Sequence, residues 1–122
     1  MLPAQARLRR RPEFTAVVRS GRRAGRPTMV LHLLPGRPGP TPEGNGPRAG
    51  FVVGKAVGNS VVRHRVTRRL RVVVRDELHR LPADADLVVR ARPEAAEATS
   101  AALRADLVAG LDRVLNPRVR SR

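Results

Sequence analysis

The sequence predicts an α/β fold in which helices and a small sheet pack as a two-layer sandwich, in the order α-β-β-α-β-α. Apolar residues recur at helical spacing in three segments, which is typical of helices that bury one face. Three other segments are short and mostly apolar, which is typical of buried strands. The chain has 122 residues, of which 41% are apolar, and this suits one compact domain over residues 1–122.

The first helix is predicted from Arg11 to Gly21. Pro12 fits its first turn, where no backbone N–H has to be donated, and Gly21 can end it. The apolar face of this helix collects Phe14, Val17 and Val18.

Two strands are predicted next, at Met29–Leu34 and Ala49–Val53. Between them, residues 35–47 hold proline or glycine at nine of thirteen positions. Such a composition predicts an irregular, mobile loop. We expect the loop to join two parts of one domain, because neither side is large enough to fold alone.

A long helix is predicted after Gly58, with Asn59 or Ser60 as its N-cap. The helix should run to about Arg80, since Pro82 lies just beyond that point. Its length makes it the largest element of the predicted fold.

The third strand is predicted at Asp86–Ala91, and a final helix should begin after Thr99 or Ser100. The apolar residues of that helix recur at helical spacing, at Leu103, Leu107, Leu111 and Val114. The ordered core is therefore expected from about residue 7 to residue 115. The basic tail, residues 117–122, is predicted to be frayed.

The charge of the chain is strongly positive and unevenly distributed. Twenty-five basic residues against ten acidic ones give a formal net charge of +15, and Lys55 is the single lysine. Between Phe14 and Arg75 the sequence holds one acidic residue, Glu43. Such a chain is expected to bind a polyanion, and nucleic acid is favoured over a membrane because no single amphipathic surface helix dominates.

Several other classes of protein are excluded by what the sequence lacks. No apolar run is long enough to span a membrane, and no signal peptide is expected, because no apolar stretch follows the basic first residues. The absence of cysteine makes a reducing cytoplasm the expected location. Three scattered histidines, no carboxylate pair in the basic region and no P-loop argue against a protein enzyme. We therefore expect no catalytic residue, no metal held by protein side chains and no small-molecule substrate.

The long helix separates into an apolar side and a basic side when its residues are placed at 100° intervals. The apolar side collects Val62, Val66, Leu70, Val73, Val74 and Leu81. The basic side collects His64, Arg65, Arg68, Arg69, Arg71 and Arg75. Arg63 lies nearer the apolar side, but in the first turn its long side chain can still reach outwards.

A basic face of this kind suits RNA. Arginine donates two parallel hydrogen bonds to a phosphate, keeps its charge and stacks on exposed bases. The start of the helix near Asn59 offers free backbone N–H groups to an anion, and Lys55 lies one turn upstream. A solvated face balanced by nearby acids is the usual explanation of a charged run, but no acid lies between Gly44 and Arg75.

The segment from Lys55 to Arg71 resembles the bacterial ribonuclease P protein component. That family has a lysine, then Gly-Asn, then an Arg-Asn-Arg core with further basic residues along one helix, and this sequence reads Lys-Ala-Val-Gly-Asn-Ser-Val-Val-Arg-His-Arg at the same spacing. Arg7, Leu8 and Phe14 also match the beginning of the family pattern. The order of the elements agrees from about residue 7 to residue 115.

The resemblance implies a protein subunit that binds a catalytic RNA and the 5′ leader of precursor tRNA, while the RNA performs the Mg²⁺-dependent cleavage. The residues implied to face the catalytic RNA are Lys55, Asn59, Arg63, His64, Arg65, Arg68, Arg69 and Arg71. Those implied to line the cleft for the leader are Phe14, Val18, His32 and Val52. Additional phosphate contacts are expected from Arg9, Arg10 and Arg11.

The resemblance also implies a small mixed sheet with a left-handed crossover, as in the ribosomal protein S5 domain 2-like fold. Chain physics favours the opposite hand, so this expectation depends on the resemblance alone. His64 and Thr67 replace the asparagine and lysine common in the family, and Val18 and His32 occupy positions that are often aromatic. Base stacking in the cleft should then be weak. His64 either replaces the amide as an RNA contact or is an exposed histidine without a role.

Two other functions fit the charge. A basic ribosomal protein, or another structural RNA-binding protein without a catalytic role, would have the same composition. A helix-turn-helix DNA-binding protein would need a short helix just before the long one. Phe51–Val53 reads as an apolar strand at that position, which disfavours the DNA-binding alternative.

Overall fold

The computed structural model describes residues 6–8, 10–36 and 46–116. Its helices and strands are α1 (Arg11–Ser20), β1 (Arg22–Gly25), β2 (Met29–Leu34), β3 (Arg48–Val52), α2 (Ser60–Glu77), β4 (Asp86–Ala91) and α3 (Ser100–Leu115). Short 3₁₀ turns follow α2 at Leu78–Arg80 and precede α3 at Pro93–Glu97. Every predicted helix and strand is present, and the α/β class is confirmed.

The predicted element order was wrong in one respect, because it lacked strand β1. This strand pairs antiparallel with β2 over its whole length, and only Ala24 is buried in it. Arg22 and Arg23 are exposed, so the segment lacks the apolar alternation that identifies a strand in sequence. Pairing at the edge of the sheet, rather than burial, makes this segment a strand.

The four strands lie in the order β1-β2-β4-β3. β2 is antiparallel to both of its neighbours, and β3 is parallel to β4, with α2 forming the connection between the parallel pair. The sheet is therefore mixed, as predicted. The left hand of the crossover stays a prediction of the resemblance.

One face of the sheet packs against α2 and α3 and carries the main core. Every second side chain of β2 and β4 points to this face and packs against side chains of α2 and α3. These core side chains are almost fully buried. They include Leu31, Leu33, Leu87, Val89, Val66, Leu70, Leu103 and Leu107. The predicted apolar side of α2 is confirmed, since Val66, Leu70, Val73, Val74 and Leu81 are buried and Val62 packs against them.

The opposite face of the sheet carries α1, so the helices lie on both sides. Val17 of α1 is fully buried against Leu8 and Val88, and Phe14 and Leu34 pack around this smaller cluster. α1 covers only part of the face. The rest of this face is formed by β1 and by the ends of β2, β3 and β4. We call it the open face of the sheet.

The helix boundaries follow local hydrogen bonding. The Asn59 side chain accepts a hydrogen bond from the Val62 N–H at 2.9 Å, so Asn59 is the N-cap of α2. Thr99 caps α3 in the same way through Ala102. α2 ends at Glu77 rather than near Arg80, because the last turn tightens into a 3₁₀ turn.

An ion-pair cluster joins β3, β4 and α1. The Arg48 guanidinium donates two hydrogen bonds to the Asp86 carboxylate, at 2.9 and 2.8 Å, and a third to Glu13 at 3.0 Å. Asp86 is the register partner of Arg48, so the bidentate pair fixes the start of the parallel pairing. This explains why β3 begins at Arg48, one residue before the predicted start.

Gly50 allows Phe14 to lie directly on β3. A Cβ atom at this position would lie 2.6 Å from Cε2 of Phe14 and 2.9 Å from Cβ of Leu8. Neither neighbour can retreat freely, because Leu8 is hydrogen-bonded to Ala49 and buried. Glycine is therefore required here for packing rather than for backbone freedom.

Parts of the predicted organisation fall outside the described residues, namely Arg9, most of the 35–47 loop and the 117–122 tail. In the part of the chain that is described, no helix combines the length and the apolar character that crossing a membrane demands.

We predict that Gly50→Ala destabilises the fold by about 1–3 kcal/mol, because the added methyl group overlaps the Phe14 ring. Urea denaturation measures the change in the free energy of unfolding. Gly54→Ala is the matched control, since nothing lies within 4 Å of its added Cβ. Equal stabilities of the two variants would contradict the packing role of Gly50.

Candidate nucleic-acid interface

The outward ridge of α2 is polar, basic and open to solvent. His64, Arg68 and Arg75 are exposed along it, and two exposed valines interrupt the charge. Val61 is 71% exposed at the start of the helix, where it borders a shallow groove with Ser60. Neither His64 nor Arg68 makes a hydrogen bond or ion pair within the described residues. Both side chains are therefore available to a ligand.

One flank of α2 is held by backbone carbonyls. Arg65 donates a hydrogen bond to the Ala96 carbonyl at 3.2 Å, and Arg69 donates one to the Ala98 carbonyl at 2.9 Å. Each guanidinium retains further N–H groups, and these contacts restrict its position without neutralising its charge. The turn at Pro93–Glu97 and Ala98, the residue that follows it, therefore orient two arginines of the predicted RNA face.

The other flank of α2 leans towards β3 and the N-terminal segment. Arg63 donates to the Gly58 carbonyl at 3.1 Å, and the Thr67 hydroxyl donates to the Arg63 carbonyl at 2.8 Å. Arg71 and Thr67 line a small cavity together with Phe14. The structure thus distributes the predicted basic face over a ridge and two flanks of α2.

The beginning of α2 adds a further positive element. Lys55 and Asn59 are both exposed beside the first turn of the helix. The side chain of Asn59 satisfies one N–H of that turn, and the remaining N–H groups and the helix dipole favour an anion. The candidates Lys55, Asn59, Arg63, His64, Arg65, Arg68, Arg69 and Arg71 therefore all lie on one helix and the turn that precedes it.

The carboxylates lie elsewhere in the described structure. Asp76 is paired with Arg104 and Arg75 at the far end of α2, where the hydrogen bond from Arg104 lowers the pKa of its carboxyl. Asp112 and Glu77 are paired with Arg80. Within the described residues, no carboxylate pairs with the arginines of the first three turns of α2. Electrostatic attraction for RNA is therefore not cancelled locally.

The predicted cleft residues share the open side of the sheet but differ in exposure. Val18 and Val52 are 38% and 39% exposed, on α1 and at the end of β3. Phe14 is half-buried over Gly50, so one side of its ring is already packed. His32 lies at the base of this surface and is only 4% exposed. The cleft therefore offers an apolar rim and a buried imidazole instead of a row of aromatic rings.

His32 stays neutral in the folded chain at neutral pH. Burial lowers the pKa of its imidazole below the ordinary value of 6.5, and the charges of Arg90 and Arg23 lower it further. Both ring nitrogens are buried and make no hydrogen bond to a described residue. Such a group costs stability unless it has a partner.

Arg23 and Arg90 were missed as candidates in the sequence. Arg23 is the register partner of His32 across β1 and β2, and Arg90 lies on β4 two residues from His32's other partner, Val88. Strand alternation therefore places all three side chains on one face. Only the register reveals this, and β1 itself could not be recognised. Of the three arginines predicted as additional phosphate contacts, Arg10 and Arg11 are exposed at the start of α1, and Arg9 lies outside the described residues.

Comparisons with known proteins agree with this geometry. A family model described as Ribonuclease P matches residues 2–115. A ribonuclease P protein component from Streptomyces griseus is 54% identical over 118 residues, covering 94% of this chain and 96% of the relative. One from Corynebacterium diphtheriae is 50% identical over 115 residues, covering 93% and 97%.

Two solved structures share the fold. The RNase P protein of Staphylococcus aureus matches with a TM-score of 0.71 at 23% identity, covering 91% of this chain and 98% of that chain. The RNase P protein from Thermotoga maritima matches with a TM-score of 0.69 at 21% identity, covering 84% and 92%. At these identities the two structures support the architecture, whereas the family model and the relatives carry the family assignment.

We predict that Arg68→Ala reduces the salt dependence of RNA binding by about one unit in the slope of log K against log salt, because one phosphate contact is lost. Binding isotherms at several salt concentrations measure the slope. Arg113→Ala is the matched control, since Arg113 is an exposed arginine on α3, away from this face. A slope that Arg68→Ala leaves unchanged would mean that the α2 ridge does not meet RNA.

We also predict that the chain loses stability as the pH falls below about 6.5. In the unfolded chain His32 takes up a proton near pH 6.5, whereas in the folded chain its lowered pKa delays protonation to a lower pH. Stability therefore falls between these two pKa values and does not fall further, on account of His32, below the folded-state pKa. The contribution of His32 is at most about 1.4 kcal/mol per pH unit. Urea denaturation between pH 5 and 8 should show a smaller loss for His32→Gln than for the His64→Gln control. Identical profiles would refute the assignment to His32.

Proposed function

The chain belongs to the ribonuclease P protein family, and we infer from this that it is the protein component of the endoribonuclease that matures the 5′ end of tRNA. The family match extends over residues 2–115, and the relatives are covered almost completely. A basic ribosomal protein is not favoured, because the family model and the relatives are those of ribonuclease P. The chain acts as part of a holoenzyme whose other component is RNA.

We propose that the face of α2 binds the catalytic RNA. The observation that carries this proposal is the absence, within the described residues, of any carboxylate paired with the arginines in the first three turns of α2. Arg65 and Arg69 are already oriented by the carbonyls of Ala96 and Ala98, so less side-chain entropy is lost when they meet phosphates. Arg68 and His64 extend outwards between the two flanks.

We propose that the open face of the sheet, beside α1, receives the single-stranded 5′ leader of precursor tRNA. Val18 and Val52 form an apolar rim, and Arg23 and Arg90 supply positive charge on the same face. Because one side of the Phe14 ring is already packed on Gly50, stacking of leader bases on this ring should contribute little to the affinity. Contacts to the phosphate backbone of the leader should contribute most of it.

We propose that hydrolysis and its Mg²⁺ ions belong to the RNA component. In the part of the chain that the structure describes, no three histidine or carboxylate side chains converge as ligands for a metal ion. The contribution of this chain is then positional, since its arginines neutralise phosphates and hold the leader against the holoenzyme. We place the chain in the bacterial cytoplasm, where tRNA is matured.

Reconstitution tests the proposed function. Mixing the full chain with the catalytic RNA of its own organism should increase cleavage of precursor tRNA at low Mg²⁺, because the protein neutralises phosphate repulsion that the metal otherwise screens. The rate of release of the 5′ leader is the measurement. The Arg113→Ala variant should stimulate as well as the natural chain does. Lack of stimulation by the natural chain would refute the function.

We predict that Val52→Glu weakens binding of precursor tRNA to the reconstituted holoenzyme several-fold while leaving mature tRNA unchanged, because a carboxylate at the cleft rim repels the leader. Val52→Gln has nearly the same size without the charge and is the matched control. Filter binding with the two tRNAs gives the affinities. Equal losses for precursor and mature tRNA would contradict a leader site on the open face.

A further inference from the structure

The open face of the sheet carries a cluster of nitrogen donors around one buried histidine. His32 lies on β2, Arg23 lies opposite it on β1, and Arg90 lies on β4 in diagonal position. Cross-strand neighbours on one face are about 4.5–5.5 Å apart at Cβ, and diagonal neighbours about 7–8 Å apart, within reach of long side chains. We call these three residues the Arg-His-Arg cluster.

The cluster is unsatisfied in the free chain. Nδ1 and Nε2 of His32 are both buried and have no hydrogen-bond partner among the described residues. Arg23 and Arg90 are exposed, and neither makes a hydrogen bond or ion pair within the same residues. Buried polar groups are nearly always paired in folded proteins, so a buried imidazole without a partner indicates a ligand.

The electrostatic surroundings of the cluster select an anion. The charged groups that β1 and β4 place on this face are Arg23, Arg90 and Asp86. Just beyond β4, the guanidinium of Arg92 would lie 3.3 Å from a Cβ at Gly25. β2 adds no other titratable group. From α1 and β3 the titratable groups are Arg11, Glu13, Arg19 and Arg48.

The carboxylates that border this face are already engaged. Glu13 of α1 and Asp86 of β4 are both bound to Arg48, at the other end of the β3–β4 pairing. Asp106 of α3 is bound to Thr28 and Arg26. Among the described residues, Asp84, Glu94 and Glu97 make no ion pair, but none of them belongs to a strand of this face. No carboxylate on the strands of this face is therefore left to compete with an incoming anion.

We propose that the Arg-His-Arg cluster is a phosphate-binding site for the single-stranded leader, and that His32 takes up one proton from solvent when the phosphodiester binds. This inference rests on the proposed leader-binding role of the open face. It adds that the phosphate of the leader is the group that is bound, and that its binding is coupled to protonation of His32. The phosphodiester carries one negative charge. The two exposed arginines donate hydrogen bonds to its oxygens, and the imidazolium, which is buried beside them, contributes a third positive charge.

The coupling follows from the change in charge around His32. In the free chain, burial and two arginines hold the pKa of the imidazole below 6.5, so the ring is neutral at pH 7. A bound phosphate adds a negative charge beside the ring and raises that pKa. At pH values between the pKa of His32 in the free chain and its pKa in the complex, the binding of each RNA molecule is accompanied by the uptake of up to one proton from solvent. Affinity then rises up to about tenfold for each pH unit by which the solution is acidified.

The chain has only three histidines, so the protonation of His32 can be followed separately by NMR. His64→Gln and His79→Gln assign the imidazole signals in the NMR spectrum of the full chain, and a pH titration follows His32 with and without a short single-stranded RNA. The apparent pKa of His32 should start below 6.5 and rise on RNA binding, whereas the signal of His79, which lies outside both proposed RNA surfaces, serves as the internal control.

Calorimetry of the same RNA in buffers of different ionisation enthalpy counts the protons. Measured in the His64→Gln background, the chain should take up close to one proton per RNA near the pH midway between the two pKa values, and the added His32→Gln substitution should abolish this uptake. Arg23→Gln and Arg90→Gln change exposed side chains, so they preserve the fold and should each reduce both the affinity and the rise in the His32 pKa.

The possible results separate this inference from the proposed function. RNA that saturates the chain without shifting His32, or proton uptake that persists when His32→Gln is added to His64→Gln, overturns the Arg-His-Arg cluster as a phosphate site. An undiminished response in both arginine variants overturns it as well. Stimulation of precursor-tRNA cleavage in the reconstituted holoenzyme is a separate readout, and only its absence counts against the proposed function.

Discussion

The rest of the structure depends on β4, a central strand whose residues 86–89 are buried on both faces of the sheet. Leu87 and Val89 turn to one side and complete the core with α2 and α3, whereas Val88 turns to the other and holds α1. Its neighbours β2 and β3 are paired along its two edges, and the bidentate bond from Arg48 to Asp86 fixes the parallel register. A slip of one residue would exchange these two sets of side chains, so the pairing of β4 determines both surfaces at once.

This arrangement gives one small chain two basic surfaces on opposite sides of a sheet. The ridge and flanks of α2 belong to the layer of α2 and α3, whereas Arg23 and Arg90 extend from the other face beside α1. Among the described residues, most carboxylates are paired with arginines outside the two surfaces, such as Arg48, Arg80 and Arg104, so the arginines of the two surfaces keep their positive charge. A rigid sheet between two cationic surfaces can hold two RNA segments at a fixed separation, and the proposed role of joining a catalytic RNA to its substrate needs that property.

The sequence predicted most of the fold because its strongest signals are local. Helical spacing identified the apolar face of α2, and the cap residue Asn59 identified its start. β1 could not be predicted, since Arg22 and Arg23 carry no apolar pattern and the strand exists only through pairing with β2. The same limit applies to the site. The motif predicted which residues lie on α2, but the carbonyl bonds of Arg65 and Arg69 depend on a turn about thirty residues away.

At the position of His32, a neutral side chain that can become protonated has an advantage over both an apolar and a permanently charged one. An aromatic ring at this position would bury more cheaply, because the two unpaired nitrogens of His32 cost stability in the free chain. A lysine or arginine would add a third positive charge beside Arg23 and Arg90, and a fixed charge buried there would cost far more. A neutral imidazole avoids that repulsion while the cleft is empty, and it can become a charged donor only when a phosphate arrives. The site therefore stays compatible with a stable fold and acquires its full charge only with RNA bound.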